Sequence, residues 1–469
     1  MKILFVRPKP SSETIGLQHV MLTEPLELEV LYALKRPEDE GLVLDMVLEK
    51  QPFISFVEEF KPDVLCVTGY ITNVPAIKGY CREAKNFNKE ITTIVGGVHC
   101  EVCPSDLENE AVDFRVVRNA TTVFTNLLNH IQNGAELPAG VFGKGDSLQN
   151  KTLPPFDFSF PYPDRSTTAR YRHKYFYIFQ DKVALIKTSF GCPWQCSFCF
   201  CRSITSGLYA RRPLNKIFDE LEQIAEKEIY IVDDDFLVDK SRLLEFFAEL
   251  EKRKIQKHFL IYGRADFIAE NQEIMHKFKA LGLRTVIVGF ESFSDKDLNQ
   301  YNKKTSASMY KKTMDVLRAE KIDVFATIIV SPNWDKADFK FMVKAVRSLG
   351  IYFVNLQPLT PLPETGVNIP QEKIIVSRQE YEKWDLAHVT VQPEKLTVAE
   401  FYKEILKAYN AILFRPKAIW KYLITYKPTL FIKMIFGANK VAMQYKKKIE
   451  TSPQPSPKER ENVNIQKLV

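Results

Sequence analysis

The stretch Lys187-Thr-Ser-Phe-Gly-Cys-Pro-Trp-Gln-Cys-Ser-Phe-Cys199 contains three cysteines at C-x3-C-x2-C spacing, Cys192, Cys196 and Cys199. The residues before them, 183–188, are apolar and β-branched and predict a strand, which Gly191 and Pro193 then break into a loop. A thiolate-rich loop at a strand end can hold a soft metal centre. Three thiolates leave one iron of a four-iron cluster without a protein ligand, so that iron is open to a substrate or cofactor.

Two other interpretations of the three cysteines stay open on spacing alone. A structural zinc site usually has four closed ligands in two pairs, and Cys201 is a candidate for the fourth ligand. A disulfide framework is the second alternative. The eight cysteines are clustered rather than spread, and the start of the chain does not read as a signal peptide, so we expect a reducing cytoplasm.

Composition places the chain among ordinary globular proteins. Its 469 residues allow two or three domains, and 45% of them are hydrophobic and 26% charged. The formal net charge of +7 is carried largely by the C-terminal end and does not by itself imply a nucleic-acid partner. No uninterrupted apolar run reaches the length of a membrane span.

The first part of the chain alternates apolar strand patterns with helical ones. This alternation predicts a doubly wound parallel sheet, in which ligands bind at the carboxyl ends of the strands. The loops at Arg7, after Thr68 and Gly69, and at Gly96-Gly97 follow three of these strands. The glycine pair would let a ligand approach the backbone, although such a turn is weakly specific and also suits a domain without a ligand.

The part after the cysteines again alternates helices and strands, and six strands are predicted in all. Polar residues follow several of them, at the end where a barrel carries its chemistry: Asp233, Asp234 and Asp235, then Arg264, then Glu291. Each could be a solvated turn residue when taken alone. Their recurrence at successive strand ends after the cysteine loop favours a functional site. Trp334 follows a further strand, and we expect it to face the cavity and shape specificity.

The cysteine loop, with Phe198 before the third cysteine, resembles the signature of the radical S-adenosylmethionine (SAM) superfamily. Pro62-Asp-Val-Leu-Cys-Val-Thr-Gly69 and Ile94-Val-Gly-Gly-Val-His99 resemble the cobalamin-binding domain that precedes the barrel in the branch of the bacteriochlorophyll oxidative cyclase and hopanoid-modifying enzymes. The resemblance implies an α/β protein: a Rossmann-like, flavodoxin-like domain (1–135), a linker (136–174), a partial (β/α)6 TIM-type barrel (175–370), a helical C-terminal extension (371–450) and a disordered tail (451–469).

The resemblance also implies residue roles. Cys192, Cys196 and Cys199 would hold a [4Fe-4S] cluster whose open iron chelates SAM, with Phe198 near the adenine. Asp233 to Asp235 would hold the SAM amino group, Arg264 its carboxylate, and Glu291 would bind SAM or support its ribose. Thr68, Gly69, Gly96, Gly97 and His99 would contact cobalamin. The family's Asp-x-His-x-x-Gly motif is absent, and His19 lies in that region without it, so no histidine is assigned to cobalt.

The implied activity is reductive cleavage of SAM to a 5′-deoxyadenosyl radical, with methyl transfer from cobalamin to an unactivated carbon of a lipid or another small molecule. Oxidative cyclisation, aminocarboxypropyl transfer and a non-catalytic iron–sulfur or cobalamin sensor are the alternatives. An electron donor of the flavodoxin or ferredoxin type is implied, and no nucleic-acid partner.

His99, Cys100 and Cys103 could form a second metal site, but buried apolar cysteines explain them as well.

The C-terminal segment combines cations with aromatic residues. Between Ala411 and Ile449 there are nine Lys or Arg, no acid and seven aromatics. This composition suits a membrane surface or an amphiphilic anionic substrate, which would put the protein at the inner face of the membrane. A solvated helix covering the bottom of the barrel explains it equally well. Residues 451–469 have the composition of a disordered tail.

Overall fold

The computed structural model describes residues 1–146 and 153–452. Strands of the first half are β1 (Lys2–Arg7), β2 (Met21–Leu22), β3 (Glu40–Asp45), β4 (Val64–Thr68), β5 (Thr92–Gly96), β6 (Phe114–Val116) and β7 (Val141–Gly143). The helices are α1 (Leu26–Ala33), α2 (Phe53–Phe60), α3 (Val74–Phe87), α4 (Val98–Val102) and α5 (Ala120–Asn133). Six strands form one sheet in the order β3-β1-β4-β5-β6-β7, parallel except for the last pair. This confirms the predicted Rossmann-like class.

The central strands of this front sheet are apolar on both faces because helices cover both. Along β1, Leu4 and Val6 pack into the cluster of α2 and α3, whereas Phe5 packs on the opposite side with α5. Such two-sided burial is typical of parallel sheets and explains the continuous apolar runs in the sequence. The antiparallel strand β7 lies beyond residue 135, so the sheet extends into the segment expected to be linker.

Strands of the second half are β8 (Phe176–Tyr177), β9 (Gln180–Asp181), β10 (Ala184–Ile186), β11 (Ser189–Phe190), β12 (Ala210–Arg211), β13 (Glu228–Ile231), β14 (His258–Gly263), β15 (Leu283–Glu291), β16 (Asp323–Val330) and β17 (Phe353–Pro358). The helices are α6 (Cys201–Ile204), α7 (Leu214–Gln223), α8 (Lys240–Lys252), α9 (Ala265–Glu270), α10 (Gln272–Ala280), α11 (Asp295–Gln300), α12 (Met309–Ala319) and α13 (Lys336–Ser348). The sheet order β10-β13-β14-β15-β16-β17 follows the chain, and every pair is parallel. This is the predicted partial (β/α)6 barrel.

Packed side chains fill the lower part of the barrel interior. Leu185, Tyr230, Leu260 and Ile287 belong to one buried cluster that also includes Tyr177 from the small sheet β2-β8-β9. The carboxyl ends of the strands therefore form the accessible rim, as in other βα barrels. Trp334 does not face this interior. It is buried in the helix layer against Phe339, so the expected role in shaping the cavity is wrong.

A buried ionic network joins the two halves. Arg165, in a 3-10 segment before the barrel, donates to Glu24 at 2.6 Å and to Glu220 of α7 at 2.7 Å. Arg172 pairs with Glu24 and Glu29 of α1. Because these carboxylates are almost fully buried, they depend on the arginines for compensation. The segment expected to be a linker thus carries specific contacts to both sides.

Up to residue 452, three α-helices follow the barrel: α14 (Val398–Leu413), α15 (Pro416–Thr425) and α16 (Pro428–Thr451). The Tyr426 ring stacks on Phe179, with ring centroids 4.0 Å apart, and Tyr422 packs on Phe353. Throughout the described ranges, each helix is too short or too polar to span a bilayer. The tail predicted for 451–469 lies outside the described residues from 453 onward.

Candidate active site

The cysteine loop follows β10 and β11 at the carboxyl end of the barrel. Gly191 turns the chain into it with φ +71°, and a Cβ there would lie 2.0 Å from the carbonyl oxygen of Leu208. A residue with a side chain cannot adopt this backbone without strain. Cys192, Cys196 and Cys199 follow, all partly buried. The turn at Gly191 thus places the three cysteines at the rim of the barrel.

The loop is held by the segment after α11. Ser197 N donates to the Tyr301 carbonyl at 3.0 Å, and Asn302 Nδ2 donates to the Gln195 carbonyl at 2.7 Å. The Phe198 ring meets Tyr301 edge-on, with centroids 5.8 Å apart. These contacts fix the backbone on both sides of Cys196, which sequence reasoning did not foresee because the partners lie about a hundred residues away.

The three aspartates after β13 have different environments. Asp233 is buried and accepts hydrogen bonds from Thr188 N at 2.6 Å and Ser189 Oγ at 2.6 Å. Asp235 accepts from Trp194 Nε1 at 3.0 Å, and burial raises its pKa to about 6. Both side chains therefore anchor the cysteine loop. Asp234 remains the most available of the three, close to the thiol of Cys201.

The two charged residues predicted at later strand ends are both paired. Arg264 forms a bidentate contact with Asp266, donates to the Lys303 carbonyl at 2.7 Å, and lies over the Trp194 ring at 4.1 Å. Glu291 lies 2.9 Å from the buried ammonium of Lys303. Lys303 was missed by sequence reasoning because it follows no strand. Burial raises the pKa of Cys196, and the charges of Lys303 and Arg264 oppose that shift.

The front-domain edge is built from the loops after β4 and β5. Gly97 has φ +90°, and a Cβ on it would lie 2.2 Å from Thr68 Oγ1, whereas a Cβ on Gly96 would meet nothing closer than 3.8 Å. His99 N donates to the Gly69 carbonyl at 3.3 Å and joins the two loops. The ring of His99 is buried, with Nε2 2.9 Å from Asp106.

The side chains of His99, Cys100 and Cys103 have separate partners. Cys100 Sγ contacts the Val95 carbonyl at 3.7 Å, and Cys103 Sγ lies 3.8 Å from Arg378 of the C-terminal extension. Burial raises the pKa of Cys100 above its usual range and that of Cys103 to about 11. These contacts are those of packed, protonated thiols.

The two edges face each other across a cleft. Helix α4 of the front domain packs beside α6, which directly follows the cysteine loop. Tyr70, after β4, is 58% exposed, yet burial raises its pKa, with Glu27 and Cys201 adding to the effect. The large exposed fraction of Tyr70 and its raised pKa are compatible, because the exposed part of the ring faces an enclosed cleft rather than bulk water. Tyr70 and Tyr262, which also lies beside Cys201, were not found from sequence.

The residues present fit the implied cofactors. Burial raises the pKa of Cys192 to about 12, so iron binding would have to displace the thiol proton, as it does in metal sites generally. Within the described ranges no three His, Cys, Asp or Glu side chains converge as a single metal ion requires. A four-iron cluster does not require such convergence, since each iron takes its own thiolate. On the opposite edge, the uncrowded backbone at Gly96, where a Cβ would meet only Val116 at 3.8 Å, suits close approach of a large cofactor.

Comparison with protein families matches both parts of this arrangement. Residues 22–128 match the B12 binding domain, and residues 186–346 match the Radical SAM superfamily. The chain is therefore a radical SAM enzyme with an N-terminal B12-binding domain.

Two curated relatives and two solved structures refine this class. A hopanoid C-3 methylase of Methylococcus capsulatus is 27% identical, over 90% of this chain and 81% of the relative. An anaerobic magnesium-protoporphyrin IX monomethyl ester cyclase of Rubrivivax gelatinosus is 24% identical, over 81% of this chain and 70% of the relative.

The methyltransferase TsrM of Kitasatospora setae, solved with cobalamin and a [4Fe-4S] cluster, has a TM-score of 0.65 at 14% identity, over 95% of this chain and 99% of the other. OxsB, solved with aqua-cobalamin and SAM, has a TM-score of 0.67 at 13% identity, over 95% and 72%. These two likenesses concern the fold. The family matches indicate a cobalamin-dependent radical SAM enzyme, with cobalamin, SAM and the [4Fe-4S] cluster of the radical SAM family as its cofactors.

Proposed function

We propose that the protein methylates an unactivated carbon of a lipid or natural-product substrate. The observation that carries this proposal is the cleft in which the three-cysteine loop faces the glycine edge of the front domain through α6 and α4. When bound, the cofactors supply hydrogen-atom abstraction from carbon and the methyl group that replaces the hydrogen. The protein positions the reactants and excludes water.

The side chains divide into ligands and supports. Cys192, Cys196 and Cys199 are the proposed cluster ligands, and Asp234 is the carboxylate best placed to accept from the SAM ammonium. Asp233 and Asp235 hold the cysteine loop through Thr188, Ser189 and Trp194. Phe198 would pack on the adenine, and Arg264 and Glu291 would act at SAM while keeping their partners Asp266 and Lys303.

On the other edge we propose that Thr68, Gly69, Gly96, Gly97 and His99 hold the cobalamin. His99 contributes through its backbone, because its ring is committed to Asp106. No histidine is proposed as a cobalt ligand. Burial lowers the pKa of His19, and a Cβ on Gly437 of α16 would contact the carbonyl of His19, which places His19 against the C-terminal extension.

The hopanoid methylases among the relatives support a lipid substrate. We further propose a cytoplasmic enzyme at the inner face of the membrane, reduced by a flavodoxin or ferredoxin. Oxidative cyclisation is the second candidate, because cyclases from two bacteria also match most of this chain.

The test is anaerobic reconstitution with iron, sulfide and cobalamin, followed by incubation with SAM carrying a deuterated methyl group, a reductant and a lipid extract. Methylation predicts 5′-deoxyadenosine together with a product that carries the label. A product that loses hydrogen and gains no label would establish oxidation instead. Cofactor binding without any 5′-deoxyadenosine would establish the sensor alternative.

A further inference from the structure

The C-terminal helices expose an unusual amount of apolar surface. Of the sixteen large hydrophobic side chains exposed in the described ranges, eight lie in α15, α16 and the residue just after α14. They are Phe414, Trp420, Leu423, Ile424, Ile432, Ile435, Phe436 and Met443. Trp420 and Phe436 are each 66% exposed, more than any other apolar residue of this set. Clustered apolar exposure of this kind marks an interaction surface.

Helical spacing separates this exposed set from the residues that hold the helices in place. Ile432, Phe436 and Met443 follow one stripe of α16 at steps of four and seven, the repeat of one helix face. On the other side, Gly437 lies against the backbone of His19, and Tyr445 is buried among Tyr402 and Tyr409. The prediction that this segment covers the barrel and the prediction that it presents an interfacial surface are therefore compatible.

The cations of this segment also divide into those that hold the helices in place and those that are exposed without a partner. Lys421 pairs with Asp323, Lys447 and Lys448 pair with Glu13, Lys433 lies over the Phe176 ring, and Arg415 donates to the Ile351 carbonyl. Lys417, Lys427, Lys440 and Lys446 are exposed and have no carboxylate partner in the described part of the chain. These four lysines and the eight apolar residues together are the apolar–basic face.

We propose that the apolar–basic face docks on an anionic lipid bilayer. Exposed aromatic and aliphatic side chains beside lysines are the composition of helices that lie in a membrane interface. A second copy of the chain fits poorly, because pairing two such faces would oppose four unpaired lysines with four others. The inference rests on the proposed membrane location and is independent of the proposed reaction.

Docking by this face also sets an orientation. Lys421 and Tyr426 bind Asp323, the first residue of β16, and the Tyr422 hydroxyl donates to the Tyr352 carbonyl just before β17. The face thus lies at the amino ends of the barrel strands, and the cysteine loop lies at their carboxyl ends. A docked enzyme would hold its cleft away from the bilayer, so a lipid substrate would have to leave the membrane plane to reach it.

The experiment is co-sedimentation of the full-length protein with vesicles of phosphatidylcholine, with and without phosphatidylglycerol. Two variants remove one half of the face each: Trp420→Ser with Phe436→Ser, and Lys417, Lys427, Lys440 and Lys446 all changed to Gln. The matched controls are Leu244→Ser with Phe341→Ser, both exposed on other helices, and Gln at the exposed lysines 50, 89, 296 and 312.

We expect salt-sensitive binding that requires phosphatidylglycerol, roughly 100-fold weaker in either face variant and unchanged in the controls. Equal loss in the controls, or absence of wild-type binding, would overturn the proposal. Self-association that Phe436→Ser abolishes would overturn it in favour of a second copy. Circular dichroism checks that the variants fold, and 5′-deoxyadenosine formation without vesicles reports the reaction separately, so a failure of the proposed chemistry is distinguishable from a failure of docking.

Discussion

The two edges of the cleft differ in how their side chains are used. On the barrel edge, Asp233, Asp235, Arg264 and Glu291 are buried and already bonded to other protein groups. On the front-domain edge, the notable features are the uncrowded backbone at Gly96 and the exposed ring of Tyr70.

The difference follows from the size of what each edge is proposed to hold. A small cluster with SAM requires a few groups at set positions, and pre-formed hydrogen bonds keep those groups from reorganising. A large macrocycle requires room and close backbone approach, which bonded side chains would obstruct. Substitutions on the barrel edge should therefore disturb the fold as well as the chemistry, whereas many on the front edge should disturb cofactor binding alone.

The largest effect is expected at the cysteines. Changing Cys192, Cys196 or Cys199 to Ala removes one proposed iron ligand and should abolish the cluster, with 5′-deoxyadenosine formation falling by roughly 1000-fold or more. Cys201→Ala is the control, because that thiol lies outside the spacing. Iron content and the absorbance of the reconstituted protein measure the result. A cluster that survives Cys199→Ala but not Cys201→Ala would contradict the assignment.

The aspartates provide the next contrast. Asp233→Ala leaves the buried donors of Thr188 and Ser189 without a partner and should lower the free energy of unfolding by about 3 kcal/mol. Asp234→Ala should cost less than about 1 kcal/mol, since that side chain supports no comparable set of donors. Urea unfolding of the cluster-free protein, followed by circular dichroism, measures both. Similar losses of stability for the two variants would show that Asp234 supports the fold as much as Asp233 does.

The glycine pair tests the front edge. Gly97→Ala places a Cβ at φ +90° and 2.2 Å from Thr68 Oγ1, and should destabilise the fold by about 2 kcal/mol. Gly96→Ala brings its Cβ no closer than 3.8 Å to Val116, an ordinary contact, and should leave apo stability within about 0.5 kcal/mol of the wild type while weakening cobalamin binding. Thermal unfolding and absorbance titration separate these effects. Normal cobalamin binding by Gly96→Ala would show that the cofactor does not approach that backbone.

The smallest effect concerns pH. Burial raises the pKa of the Glu101 carboxyl on α4 to about 7 from its ordinary 4.5, with Lys187 and Arg118 opposing the shift. The folded state then binds this proton more tightly than the unfolded state, so the stability contributed by Glu101 falls as pH rises from 4.5 to 7.

Glu101→Gln should therefore be more stable than the wild type at pH 8, by about 1–2 kcal/mol, and equal to it below pH 4.5. Chemical unfolding at several pH values measures the difference. The exposed Glu110→Gln serves as the comparison variant, and a parallel pH profile for both would show that Glu101 is not the group responsible.

Strong periodicity made the main elements predictable. The apolar periodicity of residues 53–60 predicts a helix that coincides with α2, and the apolar run at 352–357 predicts a strand that is β17 shifted by one residue. The short strands β6 and β7 and the helix α5 were not predicted. Their stability comes from sheet pairing and from burial of Phe124 and Leu127, which a local pattern shows only weakly.

Within the site, residues marked by motif spacing could be named from sequence, but their environments could not. Trp334 was expected to face the cavity, yet it packs under the helix layer, since a strand-end loop can turn to either side of the sheet. Lys303 reaches Glu291 from the segment after α11, and Tyr70 of the front domain lies near Cys201, as does Tyr262 of β14, only once the two domains pack together.

The sequence by itself determined the class of this protein. Three cysteines in one loop, a glycine pair after an apolar strand and two alternations of strand and helix are local patterns, and local patterns are readable without coordinates. Tertiary structure decided how each charge is used: which aspartate anchors and which is open, which arginine joins the two halves, and which lysines face solvent. Those outcomes depend on partners tens to hundreds of residues away, and pairing, burial and dielectric environment exist only once the chain has brought them together.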